Sequence, residues 1–352
     1  MPAPAAPDAP GPATPLLDAL AARLGHRPGA QRRDGRFLNP DGTPAGRSLA
    51  EVWRLMREGG GTPWPERVED PPFPPPPATV PPGHAAVTFI GHVTFLIRLP
   101  DGFTCLTDPM FSERASPFRR HGPRRHRAPG LALEALPRID AVLLSHNHYD
   151  HMDLPSLRRL HARDRPLLVT GLGNGAYLAR KGVPGAVELD WWRSAPLPGG
   201  HVATYLPMRH ASARGLGDRN RMLWGGFALS TAGGGRLLFT GDTAHGAHLA
   251  EIGEALGPFG LALLPIGAYE PRWFMDAVHV DPEESVAAFQ AVRARTALAM
   301  HFGTFRLTRE PIDEPARRLA AARQAAGLPE AAFLVPGVGQ TVIRDLAAGE
   351  PA

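Results

Sequence analysis

Three histidines and one aspartate fall within six consecutive residues of this 352-residue chain. They are His146, His148, Asp150 and His151, in the stretch 145–151. Imidazole nitrogens and carboxylate oxygens are the ligands that Zn²⁺ and other borderline metals accept. A single histidine here would most simply be an exposed side chain of a surface loop. Four ligand-type residues at this spacing are not explained in that way. The cluster therefore indicates a metal site, and metal-assisted hydrolysis as its chemistry.

The elements around this cluster predict how its side chains are positioned. Residues 141–144 form the kind of short apolar run that fills a buried strand. Asp153, followed by Pro155, predicts the start of a helix over 154–162. Because residues two apart do not share a face of a helix, the ligands fit a loop better. The order strand, loop, helix places them at the carboxyl end of a strand, where open α/β sheets hold their sites.

Three further ligand-type residues also follow strand-like runs. They are His210, Asp242 and His301. Taken singly, each is more simply a packed or exposed side chain. Together with the first cluster they make seven candidates, whereas one catalytic zinc takes three protein ligands and a water. Seven ligand-type residues are enough to bind two metal ions that share a carboxylate. Such a pair of ions can activate a bridging water and bind a phosphate oxygen.

The composition is ordinary for a soluble globular protein, with 43% hydrophobic and 20% charged residues. No apolar run approaches the roughly 18 residues that a spanning helix needs, and residues 1–7 make a poor secretory signal. Cys105 is the only cysteine, which excludes an internal disulfide and a cysteine-based zinc knuckle. We therefore expect a cytoplasmic protein, with peripheral contact to the inner membrane face if its substrate is a lipid.

The composition and the hydrophobic pattern of the sequence change near residue 84. Residues 1–84 are predicted to be a Pro-rich N-terminal extension, partly disordered, with one short helix over 48–58. Residues 85–352 are predicted to be the catalytic domain, because apolar runs there alternate with helical patterns, as in a layered α/β fold. Strands are expected at 86–90, 94–98, 104–107, 166–169, 227–230, 236–240, 261–265 and 296–300, and further helices at 247–256, 282–294 and 314–325.

The net charge is +4, and almost all of the positive charge is arginine. A basic run over 119–127 has two interpretations, contact with anionic lipid headgroups or a solvated loop. No aromatic residues interleave with it to stack on bases, so we do not expect a nucleic acid partner.

The motif H-x-H-x-D-H, followed by separate His, Asp and His residues, resembles the metallo-β-lactamase superfamily. The resemblance implies a four-layer αββα sandwich with two Zn²⁺ per chain at one edge of its sheets. By matching motif, one zinc would be held by His146, His148 and His210. The other would be held by Asp150, His151 and His301, and Asp242 would bridge the two.

Further motifs, over about residues 40–330, resemble the N-acyl-phosphatidylethanolamine-hydrolysing phospholipase D family. They lie at 106–112, 188–192, 265–275, 279–284 and 301–305. The resemblance implies a phosphodiesterase that releases phosphatidic acid and an N-acylethanolamine, and it implies a homodimer. A lactonase or another phosphoesterase on the same site stays open, as does a metal-binding protein without turnover.

The resemblance also assigns roles beside the metals. Asp150 and His279 are the predicted catalytic residues, with His279 as the acid that protonates the leaving oxygen. An ordinary loop histidine is the alternative for His279, and Val278 stands where the animal members carry Gln. The residues expected to support the metal ligands or to form the substrate wall are His92, Asp108, Tyr149, Tyr269, Glu270 and Arg272.

Overall fold

A computed structural model describes residues 15–118, 120–215 and 217–347 of the chain. Its helices are α1 (Pro15–Leu24), α2 (Leu49–Glu58), α3 (Leu154–Arg163), α4 (Asn174–Arg180), α5 (Ala247–Leu256), α6 (Arg272–Met275), α7 (Pro282–Ala291) and α8 (Glu314–Ala325). Its strands are β1 (Arg32–Arg33), β2 (Arg36–Phe37), β3 (His84–Gly91), β4 (Thr94–Arg98), β5 (Thr104–Thr107), β6 (Ala141–Leu144), β7 (Leu167–Gly171), β8 (Val187–Leu189), β9 (Ser194–Pro196), β10 (Val202–Leu206), β11 (Gly226–Ser230), β12 (Arg236–Phe239), β13 (Phe259–Pro265), β14 (Ala294–Met300), β15 (Phe333–Leu334) and β16 (Thr341–Asp345).

Two seven-stranded sheets form the centre of the protein. The first has the order β16-β3-β4-β5-β6-β7-β8, and the second has the order β15-β14-β13-β12-β11-β10-β9. Each sheet is antiparallel in one half and parallel in the other, with the parallel half running from β5 to β8 in the first and from β12 to β15 in the second. The parallel strands are the ones that helices connect, which brings their carboxyl ends to a common edge.

Alternate residues of β6 pack on opposite faces of the first sheet, and this shows the order of the layers. Ala141 and Leu143 belong to the large core between the two sheets, whereas Val142 and Leu144 pack on the outer side with Leu157 of α3. A strand that is buried on both faces has a continuous apolar sequence, and β6 has one. On the second sheet α5 and α7 supply the outer layer, with Ile252 and Phe289 in the core. The expected αββα sandwich is confirmed.

Two local predictions differ from the structure in detail. Asp153 stands at the N-cap of α3, but its carboxylate does not accept from the helix backbone. It accepts instead from the backbone N–H groups of Phe111 and Ser112, at 3.3 and 3.0 Å, and so holds a neighbouring loop. Helix α7 ends at Ala291, three residues before the predicted end, because Arg293 takes a positive φ of 58° and the chain enters β14.

The segment before β3 packs on the sandwich. Leu20, Leu24 and Phe37 are buried in the large core. A capping box between Ser48 and Glu51 starts α2. The predicted disorder falls largely on residues 1–14, outside the described residues, and the boundary at residue 84 stays a prediction. Among the described residues no helix combines the length and the apolar character that crossing a membrane requires.

Candidate metal centre

The predicted ligands come from four strand ends at one edge of the sandwich. The stretch 145–151 follows β6, His210 lies beyond the end of β10, Asp242 beyond β12, and His301 directly after β14. Because the parallel strands of both sheets end at this edge, residues more than 150 positions apart in sequence meet here. All seven predicted ligands lie together in the structure.

Three imidazoles form the first group. Nδ1 of His148 lies 2.9 Å from Nε2 of His146 and 3.2 Å from Nε2 of His210. Asp242 completes the group, with its Oδ2 3.6 Å from His210 Nε2. Ring nitrogens this close must share a proton or a cation, because two lone pairs facing each other repel.

The second group contains both carboxylates. His301 Nε2 lies 3.3 Å from Asp150 Oδ2 and 3.3 Å from Asp242 Oδ1. His151 Nε2 lies 3.4 Å from Asp150 Oδ2 and 3.1 Å from Asp242 Oδ2. Asp242 therefore contacts both groups, which is the position expected of a carboxylate shared by two ions.

Hydrogen bonds behind the imidazoles define which nitrogen points into the centre. Asp108 Oδ2 accepts from His151 Nδ1 at 2.6 Å, and Asp108 Oδ1 accepts from the Ser145 backbone N–H at 2.7 Å. The Val278 carbonyl accepts from His210 Nδ1 at 2.8 Å. With Nδ1 protonated, Nε2 keeps its lone pair for a metal, the usual arrangement around metal-binding histidines.

His92 and Asp108, the predicted supporting residues, lie next to the ligand-type side chains. His92 Nε2 lies 3.0 Å from Asp150 Oδ2, and its ring packs 4.3 Å from that of His301. Both residues are buried. Their contacts orient ligand-type groups, although His92 is also close enough to Asp150, His151 and His301 to act as a ligand itself.

Several buried polar atoms in this centre lack a hydrogen-bond partner. They include His151 Nε2, His301 Nε2 and Asp242 Oδ1. Leaving such groups unpaired costs roughly 1–3 kcal/mol each. The three atoms lie within 3.3 Å of a neighbour of ligand type, so a cation among them would satisfy them together. The residues present thus fit a metal-binding site.

Charge interactions inside the centre shift the pKa values in opposite directions. Burial alone would raise the pKa of Asp242, but His151 and His301 hold it well below its usual range. Burial would lower the pKa of His301, yet Asp242 and Asp150 raise it to about 9. Burial and the adjacent His210 lower the pKa of His148 to about 3. Asp242 is thus ionised and His148 neutral, the states in which each side chain binds metal, whereas His301 holds a proton at pH 7 that a bound cation would displace.

The centre opens into a cleft of about 560 Å³. Its floor contains His148, Asp150, Asp242, His279 and His301. Its walls are largely apolar side chains from α2, from α6 and from the loop after β14, namely Leu55, Met56, Pro271, Phe274, Met275 and Leu307. Glu270, Arg306 and Arg309 are the charged residues of the wall.

His279 lies on the floor beside the predicted ligands. Its Nε2 is 3.7 Å from Asp242 Oδ2, and its Nδ1 is buried without a hydrogen-bond partner. Although Asp242 opposes the effect, burial and the His301 imidazole hold the pKa of His279 well below its ordinary value. The side chain is therefore a neutral imidazole at pH 7.

Of the predicted wall residues, Glu270 lines the cleft, but Tyr149, Tyr269 and Arg272 do not. Tyr149 donates to the Arg214 carbonyl at 2.9 Å, and Tyr269 is buried and donates to Glu314 at 2.8 Å. Arg272 binds Glu284 at 2.5 Å and the His279 carbonyl at 2.8 Å, so it positions His279 from behind. The polar tip of each residue has a partner inside the protein, so none of the three lines the cleft, and a supporting role remains the prediction for them.

Two arginines that the sequence analysis missed belong to this region. Arg306 lines the cleft. Arg214 donates to the carbonyls of Asn147 and Met152, at 2.7 and 2.9 Å, and its guanidinium lies 3.9 Å from the Tyr149 ring centroid. Arg214 thus fixes the loop that carries the first ligands. No motif contains either residue, so a single sequence offers no signal for them.

The basic run 119–127 is not a free cationic surface in the residues described here. Arg124 binds Glu113 at 2.7 Å and Glu66 at 3.1 Å, and Arg127 pairs with Asp70. Arg125 is buried and donates to the Met110 carbonyl at 2.6 Å. Arg119 lies outside the described residues. Most of the charge that the run could offer to a lipid surface is therefore committed to internal contacts.

Comparison with known proteins agrees with this architecture. A family model described as a beta-lactamase superfamily domain matches residues 104–302. The N-acyl-phosphatidylethanolamine-hydrolyzing phospholipase D 1 of Caenorhabditis elegans is 37% identical over 265 residues, which cover 72% of this chain and 74% of that protein. An uncharacterized protein of Mycobacterium tuberculosis is 42% identical over 244 residues, but the match spans 68% of this chain and only 64% of that protein.

A solved structure shares the fold at lower identity. Igni18, described as a metallo hydrolase from Ignicoccus hospitalis, is 23% identical and gives a TM-score of 0.56, with coverage of 74% of this chain and 98% of that chain. The chain therefore belongs to the metallo-β-lactamase superfamily and, within it, resembles N-acyl-phosphatidylethanolamine-hydrolysing phospholipase D.

Proposed function

We propose that this protein is a metal-dependent hydrolase that holds two Zn²⁺ and cleaves the phosphodiester of N-acyl-phosphatidylethanolamine. The observation that carries the proposal is the position of Asp242, which contacts both ligand groups at the floor of an open cleft. The substrate follows from the likeness to the C. elegans protein of that name. The products are phosphatidic acid and an N-acylethanolamine.

His146, His148 and His210 would hold one ion, Asp150, His151 and His301 the other, and Asp242 both. When bound, paired zinc ions supply an acidified water and positive charge for the phosphate oxygens. Other residues of the protein orient the metal ligands. Asp108 and the Val278 carbonyl keep the protons of His151 and His210 on Nδ1, and His92 restrains Asp150.

His279 is positioned to move a proton at the reacting phosphate. Its imidazole is neutral at pH 7, so it accepts a proton as the water attacks and passes it to the departing ethanolamide oxygen. An imidazole with a depressed pKa is a strong acid once protonated, which favours the second transfer. Arg272 holds the His279 carbonyl and thereby orients the ring.

The cleft suits a lipid because its walls are apolar above a polar floor. Met56 of α2 lines this wall and is also 75% exposed, and Trp53 of the same helix is 64% exposed. Arg57 lies over the Trp53 ring, at 5.5 Å from its centroid. An aromatic and an aliphatic side chain flanked by arginine is the composition of helices that rest on anionic bilayers. We place the peripheral membrane contact at α2 rather than at 119–127.

The test is incubation of the purified protein with N-acyl-phosphatidylethanolamine vesicles, with and without a chelator, and detection of both products by mass spectrometry. We expect chelator-sensitive release of phosphatidic acid and N-acylethanolamine in equal amounts. Parallel assays with a lactone and with a soluble phosphodiester identify the alternative hydrolases. Lactone hydrolysis without lipid cleavage would replace the proposed substrate, and no turnover of any substrate would reject the enzyme.

A further inference from the structure

Arg306 is the charged residue of the cleft wall whose guanidinium has no partner in the part of the chain that the structure describes. No hydrogen bond or ion pair reaches it there, and its Nε is buried without a hydrogen-bond partner. The neighbouring Arg309 differs, since it binds Glu58 at 3.3 Å and the Leu55 carbonyl at 2.9 Å. Glu270, on the same wall, accepts from the Arg272 backbone N–H at 3.2 Å.

The backbone at Gly61 packs closely against this guanidinium without neutralising it. Gly61 passes beside it with a φ of +107°, and a Cβ at that position would lie 2.7 Å from Arg306 Nη2. The next residue, Thr62, donates its backbone N–H to the Arg309 carbonyl at 3.0 Å and fixes the segment there. A buried guanidinium nitrogen without a partner costs free energy. The presence of Arg306 in the wall of the cleft that contains the metal centre is explained if a bound ligand is its partner.

The chemistry of the group identifies that ligand. Arginine presents a planar fork of N–H donors that matches two oxygens of a phosphate. The carboxylates on the floor are occupied by imidazoles, which leaves Arg306 free for an incoming anion. We propose that Arg306 binds a non-bridging oxygen of the substrate's phosphodiester and makes the site selective for anionic phosphodiesters over neutral esters and lactones. This inference rests on the proposed function and adds the residue that determines its substrate class.

The experiment compares R306M and R306K with the wild type, with R317M as the matched control. Arg317 is an exposed arginine of α8 that pairs with Asp313. Each metal-loaded protein is titrated with inorganic phosphate by calorimetry and assayed with bis(p-nitrophenyl) phosphate, and its metal content is measured. Loss of a charge-assisted hydrogen bond predicts that R306M weakens phosphate binding and kcat/KM on the order of 10- to 100-fold. R306K should lose less phosphate affinity and kcat/KM than R306M, and R317M should keep the wild-type values.

Each outcome decides the proposal. Weaker phosphate binding by R306M at unchanged metal content supports it, whereas wild-type phosphate binding by R306M overturns it. Loss of metal from R306M would also overturn it, because Arg306 would then support the centre and not the substrate. A wild-type protein that binds phosphate through Arg306 but turns over no phosphodiester would leave this inference standing and reject the proposed function. A wild type that binds no phosphate would reject the inference itself.

Discussion

Asp108 shows how one residue prepares a metal site. Its carboxylate accepts hydrogen bonds from Nδ1 of His151 and from the backbone N–H of Ser145, the residue that precedes the first ligand. Removing this support lowers metal affinity in comparable sites by roughly 10- to 100-fold. We expect Asp108→Ala to show such a loss in a zinc titration against a competing chelator. Asp101→Ala is the control, because Asp101 binds His201 away from the centre. Unchanged zinc affinity would contradict the role of Asp108.

His279 is the residue on which the proposed proton transfer depends. We expect His279→Ala to lower kcat by roughly 10²- to 10⁴-fold, the usual contribution of a general acid–base. Metal content, measured by plasma mass spectrometry, should stay at the wild-type value. His121→Ala, at an exposed position, serves as the control. Should the variant lose metal instead, His279 would be a ligand and the proton would need another carrier.

His248 gives a prediction about pH and stability. Burial, together with the charges of His245 and Arg209, lowers its pKa from an ordinary value of 6.5 to about 3. Below pH 6.5 the unfolded chain therefore binds a proton that the folded chain does not, and stability falls as the pH falls. From pH 7.5 to 5.5 this single group costs about 1.4 kcal/mol of unfolding free energy.

We expect His248→Gln, which can still reach the Thr243 hydroxyl that His248 contacts at 2.9 Å, to lose this pH dependence. Urea unfolding of the metal-free protein at both pH values measures it, with His121→Gln as the reference. Equal pH slopes for His248→Gln and the wild type would show that His248 is protonated in the folded state.

At the scale of elements, α2 joins the mouth of the cleft to the outer surface. Its substitution W53A/M56A should weaken sedimentation with vesicles that contain phosphatidylglycerol by tenfold or more, since burial of each side chain is worth about 1.5–3 kcal/mol. F118A/I343A is the matched control, because Phe118 and Ile343 are also exposed apolar residues but lie outside α2. Thermal melts of both variants report on folding. Equal vesicle binding by W53A/M56A and the wild type would place the membrane contact elsewhere.

The strands and helices that could be predicted are those with a strong local pattern. Helices α5 and α8 begin and end at their predicted residues, and β6 does the same, because apolar periodicity and capping residues are local signals. The two-residue strands β1, β2 and β15 were missed, since such short strands carry no periodicity. Strands β8 and β9 are three residues long and were missed for the same reason, whereas the longer elements α1, α4 and β16 were also not predicted, so residues 1–84 hold two helices and not one.

At the scale of the whole molecule, two sheets bring four strand ends to one edge. That convergence explains why residues that each follow an apolar run lie together, while their role as metal ligands stays a prediction. Most of the cleft wall could not be predicted from the sequence, since it joins α2 and Gly60 near the start of the chain to Arg306 and Leu307 near its end. Contacts between such distant segments arise from the tertiary fold and leave no pattern in a single sequence.

The central claim is that Asp242 joins two metal ions into one hydrolytic centre. The most direct measurement is a zinc titration of the metal-free protein, with bound zinc per chain and cleavage of N-acyl-phosphatidylethanolamine followed together for the wild type and Asp242→Ala. We expect cleavage to become maximal at two zinc ions per chain in the wild type, and Asp242→Ala to be inactive and deficient in both ions. Full activity without zinc, or with one ion per chain, would contradict the account.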